Sequence, residues 1–286
     1  MTIAALFHPS ISAKAADPFR DISPHLEIVA DLERASDKTQ AALIFGGDGT
    51  IHRHLPQLHQ RKIPALIVPK GSGNDFAKSL GIANERAALA AWKQFCSGAN
   101  NVREIDLGIL RHGTEETLFC CVAGMGLDSE ANRIANAMPA WLRGSAGYVL
   151  AALGGIARFQ PTDFRVEAGT GQLIQRQIAK SGLFLAVGNA GSYGGGARIA
   201  PNAQLDDGLF DVCFVAKMSK LKTLLCFPTV FLGRHLGIKQ VEYFQARTVR
   251  VESGRPLEIY ADGEPVCQTP VEISLLPRAL KVIVPG

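Results

Sequence analysis

The sequence predicts an α/β N-terminal domain on a parallel sheet and a mostly antiparallel, β-rich C-terminal domain, with a cleft between them. Three observations carry this. Short apolar runs in residues 1–100 each end in a glycine- or proline-bearing loop and alternate with helical patterns. Beyond residue 102 the pattern changes to strand after strand, with few helical stretches. At 286 residues the chain is long enough for one large or two modest domains.

The elements follow in order. Residues 2–7 read as a first strand ending at His8-Pro9-Ser10, and 24–35 as a weak helix. Residues 41–45 are a strand, all apolar as a parallel strand buried on both faces requires. Ile51 to Gln60 is a helix, Ile63 to Val68 a strand and Phe76 to Leu80 a short helix. Glu85 to Ser97 is amphipathic, with Ala88, Ala91, Trp92 and Phe95 on one face, and stops at Gly98. Val102–Leu110 and Thr117–Val122 are strands around a turn at His112-Gly113, and Ser145–Phe159 is a helix. Strands then dominate: 164–168, 183–188, 210–215, 248–252, 257–260, 271–276 and 280–284. One helix at about 221–236, bent at Pro228, interrupts them. The boundary falls near 123–135. That gives domains of 1–125 and 126–278, with the tail 279–286 a candidate to rejoin the first.

Composition excludes several classes. Hydrophobic residues make up 47% and charged residues 20%, ordinary for a globular protein. A net charge of +4, without a basic tract, gives no argument for nucleic acid. No run of about 18 uninterrupted apolar residues occurs, so no transmembrane segment is expected. The apolar start Ile3 to Phe7 is broken by His8-Pro9, too short for a signal peptide. Six cysteines without a C-x-x-C pair read as reduced core residues, and the expected location is cytoplasmic.

The most informative motif is Gly46-Gly47-Asp48-Gly49-Thr50, directly after the strand 41–45. Its glycines let the backbone turn sharply and bring N–H groups close to an anion such as a phosphate. Asp48 could hold a magnesium ion or orient a group. A tight turn without a ligand is the plain alternative. The next strand also ends in such a loop, Pro69-Lys70-Gly71-Ser72-Gly73-Asn74-Asp75, which places both loops at one sheet edge, where open α/β sheets bind ligands. Neither is a Walker A loop, and Gly124-Met125-Gly126 lacks the third glycine of a dinucleotide fingerprint. The run 188–196 holds five glycines, as a mobile surface loop or as one that lets a ligand approach closely. Asp206, Asp207 and Asp211 suit a hard cation or a plain Asx turn. Asp262-Gly263 reads equally as a hairpin turn or as a site whose carboxylate is a general base.

Together these segments resemble the diacylglycerol-kinase catalytic-domain family, in particular soluble bacterial lipid kinases related to sphingosine and ceramide kinases. The resemblance rests on Gly46–Thr50, Pro69–Ala77, Gly124–Asp128, Gly188-Asn189, Gly194–Gly196, Ala200-Pro201, Asp207–Leu209 and Asp262–Pro265, in that order across nearly the whole chain. It implies an N-terminal domain with NAD-kinase-like or phosphofructokinase-like layers that binds ATP, and a β-rich lipid-substrate domain. On that model Asp48 sits near Mg2+ and the γ-phosphate. Gly46, Gly47, Gly49, Thr50, Gly71, Ser72, Gly73, Asn74 and Asp75 cradle the nucleotide. Asp262 deprotonates the lipid hydroxyl. Asp207, with main-chain oxygens of Gln204 and Leu209, matches a structural Mg2+ site. The implied partner is a lipid such as diacylglycerol at a membrane surface, visited transiently; a homodimer is a candidate state. The sequence departs from the family at His8-Pro9-Ser10, where Asn-Pro is usual, and at His52-Arg53, where Asn-Glu is common. A NAD kinase-like nucleotide kinase and a non-catalytic nucleotide- or lipid-binding regulator are the alternatives.

Overall fold

The computed structural model describes residues 2–139, 145–170 and 173–286. The chain divides into two compact units, residues 1–106 with 277–286, and residues 107–276.

The first unit is built on parallel strands. β1 (Thr2–Phe7) leads into a short helix α1 (Asp17–Arg20), then β2 (Leu26–Ile28), β3 (Thr39–Gly46), helix α2 (Asp48–Arg61) and β4 (Ala65–Pro69). Helices α3 (Asp75–Ser79) and α4 (Glu85–Cys96) follow, and then β5 (Val102–His112) begins. The strand order is β2-β1-β3-β4, all parallel. Ile3–Leu6, Ala41–Phe45 and Ala65–Val68 are fully buried, which explains why these strands read as continuous apolar runs. Helix α2 buries Ile51, Leu55 and Leu58, and α4 buries Ala88, Ala91 and Trp92 at helical spacing.

The weak helix expected over 24–35 is instead strand β2 and a 3-10 turn at Leu32–Arg34. Two forces override the local pattern. Leu26–Ile28 pairs with Ile3–Ala5 at the sheet edge, and the Asp31 carboxylate caps the turn at Arg34 N–H, 3.0 Å away.

The second unit is antiparallel. The end of β5 pairs with β6 (Glu115–Phe119), followed by β7 (Val122–Gly126), helices α5 (Leu127–Ala137) and α6 (Ser145–Arg158), β8 (Thr162–Thr170), β9 (Leu173–Gly188) and β10 (Phe210–Ala216). Then come α7 (Lys220–Cys226), α8 (Pro228–Phe231), β11 (Val241–Ala246), β12 (Thr248–Ser253), β13 (Glu258–Ala261), β14 (Glu264–Gln268) and β15 (Val271–Ile283). The order is β14-β13-β7-β9-β8-β12-β15, with β10 between β9 and β11. The 16-residue β9 pairs with β7, β8 and β10. Beyond Pro277, β15 belongs to the first unit, where Val282 pairs in parallel with Ala65.

Further elements differ from the sequence reading. The strand expected over 117–122 is two, β6 and β7, separated by a bend at Cys120-Cys121. The helix expected over 221–236 breaks at Pro228, which opens α8 because it lacks the N–H that would continue α7. The two strands expected at 271–276 and 280–284 are one, running through Pro277. Helix α5, with no counterpart in the sequence reading, packs against α6.

Candidate active site

In the first unit the two glycine loops interlock. Helix α2 starts at Asp48, three residues before its expected start, so Asp48, Gly49 and Thr50 form its first turn behind the N-cap Gly47. The first amides of a helix lack intrahelical acceptors, and the helix dipole adds positive potential there, which suits phosphate oxygens. The Asp48 carboxylate accepts hydrogen bonds from Asp75 N–H (3.1 Å) and Phe76 N–H (3.0 Å), capping α3 and tying the first loop to the second. Gly47 and Gly71 meet backbone to backbone: a Cβ on Gly71 would lie 2.5 Å from the Gly47 Cα. Asn74, at φ 56°, accepts from Gly71 N–H (2.8 Å) and donates to Gly71 O (2.7 Å), which holds the second loop closed.

These contacts sort the nucleotide-binding candidates. Gly71 and Ser72 are exposed; Gly47, Asp48, Gly49, Gly73 and Asn74 are half-buried. Gly46, Thr50 and Asp75 are buried and support the loops from behind. Lys70 is paired with Glu85, and Lys78 donates to Gly73 O (2.7 Å). Arg53 is exposed on α2, and the His8 ring bonds Ser10 Oγ (2.7 Å).

In the second unit Asp262 is the organising residue. It sits at φ 53° with Gly263 at 88° in the two-residue turn between β13 and β14, as a hairpin turn with two positive φ values requires. Its carboxylate accepts from the N–H groups of Cys121 (2.8 Å), Cys120 (2.9 Å) and Val122 (3.3 Å), and its own N–H donates to Val122 O (3.0 Å). The Asp262-Gly263 segment is therefore both a hairpin turn and a carboxylate held in one position. Asn189, fully buried, supports the same bend from the other side. Its Nδ2 donates to Cys120 O (2.9 Å) and its N–H to Cys121 O (2.7 Å).

An apolar cavity of about 110 Å³ lies in this unit, with walls that include Leu127, Ile156, Phe184, Phe227 and Val230. Asp128, Tyr193, Thr223 and His235 are its polar lining. The Tyr193 hydroxyl donates to the buried Asp128 carboxylate. His235 hydrogen-bonds Ile199 O through Nε2 (3.1 Å), and its Nδ1 has no hydrogen-bond partner among the described residues. Burial lowers the His235 pKa, which keeps the ring neutral.

The three acidic residues after the glycine-rich loop separate. Asp207 Oδ1 accepts from Leu209 N–H (3.0 Å) in an Asx turn, while Gln204 and Asp206 are exposed. Asp211 is buried in β10, where Gln245 Nε2 reaches its carboxylate (3.4 Å) and burial raises its pKa. Asn189, Asp128 and Tyr193 received no role from the sequence alone. Their signal lay in Gly188-Asn189 closing an apolar strand and in Asp128 four residues after Gly124, in the first turn of a helix.

Residues 22–110 match the diacylglycerol kinase catalytic domain, and residues 121–284 match the YegS C-terminal NAD kinase beta sandwich-like domain. A diacylglycerol kinase of Mycobacterium tuberculosis is 37% identical over 256 residues, covering 86% of this chain and 77% of the relative. The chain belongs to the diacylglycerol kinase family. Members are phosphotransferases with an alcohol group as acceptor, and that class applies here. A diacylglycerol kinase crystal structure from Bacillus anthracis superposes with a TM-score of 0.72 at 18% identity, covering 99% of this chain and 96% of that one. An NAD kinase from Archaeoglobus fulgidus in complex with ATP gives 0.58 at 12%, covering 100% and 94%. Both show the shared fold: parallel N-terminal strands and an antiparallel C-terminal sheet.

Proposed function

We propose that the protein is an ATP-dependent lipid kinase that transfers the γ-phosphoryl group to a hydroxyl of a lipid such as diacylglycerol, with Mg2+. The observation that carries this is the Asp262 carboxylate, clamped by three backbone N–H groups in the unit that also holds the apolar cavity. A fixed carboxylate can accept a hydroxyl proton, and an apolar wall suits an acyl chain.

The glycine loops of the first unit supply the phosphate-facing backbone, with Gly71–Asn74 and the first turn of α2 in contact with the nucleotide. Asp48 fits a magnesium ligand, because it is a carboxylate held at the start of α2 where the two glycine loops meet. Mg2+ would neutralise charge building on the phosphates, and phosphoryl transfer needs mainly such positioning and neutralisation. Asp207, with the carbonyls of Gln204 and Leu209, is the proposed structural Mg2+ site; its Asx turn already draws the carboxylate and Leu209 together.

No helix among the described residues is long and apolar enough to cross a membrane. Access to lipid is proposed through α7, whose Leu221 and Leu225 are 67% and 70% exposed while Thr223 and Cys226 of the same helix line the cavity. The test is transfer of labelled γ-phosphate from ATP-Mg2+ to a lipid panel in mixed micelles, with NAD as an extra acceptor. Label should enter one lipid class and be lost in Asp262→Asn with nucleotide binding retained. Label in NAD alone, or full turnover in Asp262→Asn, would overturn the proposal.

A further inference from the structure

The bend that holds Asp262 also carries two adjacent thiols. Cys120 and Cys121 are 0% and 2% exposed, and neither is in a disulfide. Neighbouring side chains on a regular strand point to opposite faces. Here the bend between β6 and β7 turns both sulfurs to one side, 4.0 Å apart. The Cys120 Sγ lies 3.4 Å from Asp262 Oδ2. Both sulfurs and a carboxylate oxygen lie within 4.8 Å of one another, the one trio of this kind among the described residues.

We propose that Cys120, Cys121 and Asp262 form a binding site for a soft divalent cation of the zinc class. The spacing is the first argument. With metal–sulfur bonds of about 2.3 Å and metal–oxygen bonds of about 2.0 Å, a tetrahedral ion sets its donors about 3.8 Å apart for two sulfurs and about 3.5 Å for sulfur and oxygen. The observed 4.0 and 3.4 Å need little adjustment.

Rigidity is the second argument. The carbonyls of both cysteines are held by Asn189, and their N–H groups by Asp262. Asp262 is itself fixed by its turn. Such preorganisation reduces the ordering cost of binding. The third argument is donor chemistry. Two thiols and one carboxylate favour zinc over magnesium, which takes oxygen ligands. Binding replaces one proton on each thiol, so two protons leave to the buffer. Asp262 retains 7% exposure, an approach for a small ion, and the fourth coordination position is left for water. A consequence rests on the proposed function: an ion bound to Asp262 removes the carboxylate that would accept the lipid hydroxyl proton, so zinc inhibits transfer.

The test is titration of the reduced full-length protein with Co2+, followed by displacement with Zn2+. One equivalent should produce thiolate-to-cobalt charge transfer and the strong visible bands of tetrahedral cobalt. Cys120→Ser and Cys121→Ser should each weaken binding by at least about tenfold. X-ray absorption of the zinc-loaded wild type needs no variant, and should show two sulfur neighbours and light-atom donors. Absence of thiolate–cobalt absorption, or equal affinity in a folded Cys120→Ser/Cys121→Ser double variant, overturns the site. Inhibition of label transfer with the same Zn2+ midpoint as cobalt displacement, reversed by a chelator, supports the consequence. A filled site with undiminished transfer leaves the metal site standing and overturns the base assignment of Asp262.

Discussion

Replacing Gly71 by alanine tests the interlocked loops directly. The new Cβ would lie 2.5 Å from Gly47 Cα, 3.0 Å from Asn74 Oδ1 and 3.2 Å from Gly47 N. Ordinary contact starts at 3.4 Å, so the two backbones must separate by about 0.9 Å (3.4 − 2.5). Neither Gly71 nor Gly47 has a positive φ, so the penalty is steric rather than conformational. Overpacking of this kind costs about 1–3 kcal/mol, and the reduced freedom of the unfolded chain returns about 0.4–1 kcal/mol. The net loss is about 0–2.6 kcal/mol of stability. The functional effect is larger, because a misplacement of about 1 Å at a positioning loop can cost about a hundredfold in rate. Gly47→Ala should be milder, since its Cβ meets Gly71 Cα at 2.9 Å. The assays are urea unfolding, calorimetric nucleotide binding and kcat/KM for label transfer. A folded Gly71→Ala protein with nucleotide affinity and kcat/KM within about twofold of wild type, or a Gly47→Ala protein worse than it, would refute the reasoning.

Asn189→Ala removes the donor to Cys120 O and leaves a buried carbonyl without that bond, a loss of about 1–3 kcal/mol. Asn189 is a positioning residue, so kcat should fall while the KM for nucleotide holds; an unchanged kcat would sink this role. His54 and His235 are buried, and desolvation lowers both pKa values, against a hydrogen bond to Gln57 and one to Ile199 O respectively. The unfolded chain therefore takes up protons that the native state refuses. Stability is fully present above pH 6.5 and declines as pH falls below it, by up to about 1.4 kcal/mol per pH unit for each ring. Urea titrations at stepped pH should show this decline, and the His54→Gln/His235→Gln double variant should flatten it; an unaltered slope refutes it. Leu221→Glu with Leu225→Glu should release the protein from anionic vesicles in sedimentation while sparing turnover of a short-chain soluble lipid, and undiminished vesicle binding would exclude α7 as the contact.

The parallel core was legible because burial on both faces forces continuous apolar strands such as Ala41–Phe45. The glycine loops were legible because their backbone contacts tolerate few residues. What escaped was set by tertiary partners. Leu26–Ile28 became a strand through pairing with β1, which no local pattern encodes. The Cys120-Cys121 bend lay hidden inside an apolar run that scores as strand throughout. Asn189 and Asp128 are buried polar residues whose partners, Cys120 and Tyr193, lie 69 and 65 residues away in sequence.

Both units use the same device. One aspartate, set in a glycine turn, gathers the amides of a neighbouring segment: Asp48 those of Asp75 and Phe76, Asp262 those of Cys120, Cys121 and Val122. A carboxylate is the side chain for this task, since it accepts several N–H bonds at once and donates none. The glycine beside it permits the close approach or the positive φ. These motifs therefore constrain the backbone first and the ligand through it, which is why they are short and strict. On the proposed function, selection among lipids would fall instead to walls such as Leu127, Ile156, Phe227 and Val230. Apolar walls discriminate one chain from another by only about 1–3 kcal/mol per methylene, and many sequences can build them. The reaction class is thus written in residues that few substitutions can replace, while the acceptor is written in residues that most can.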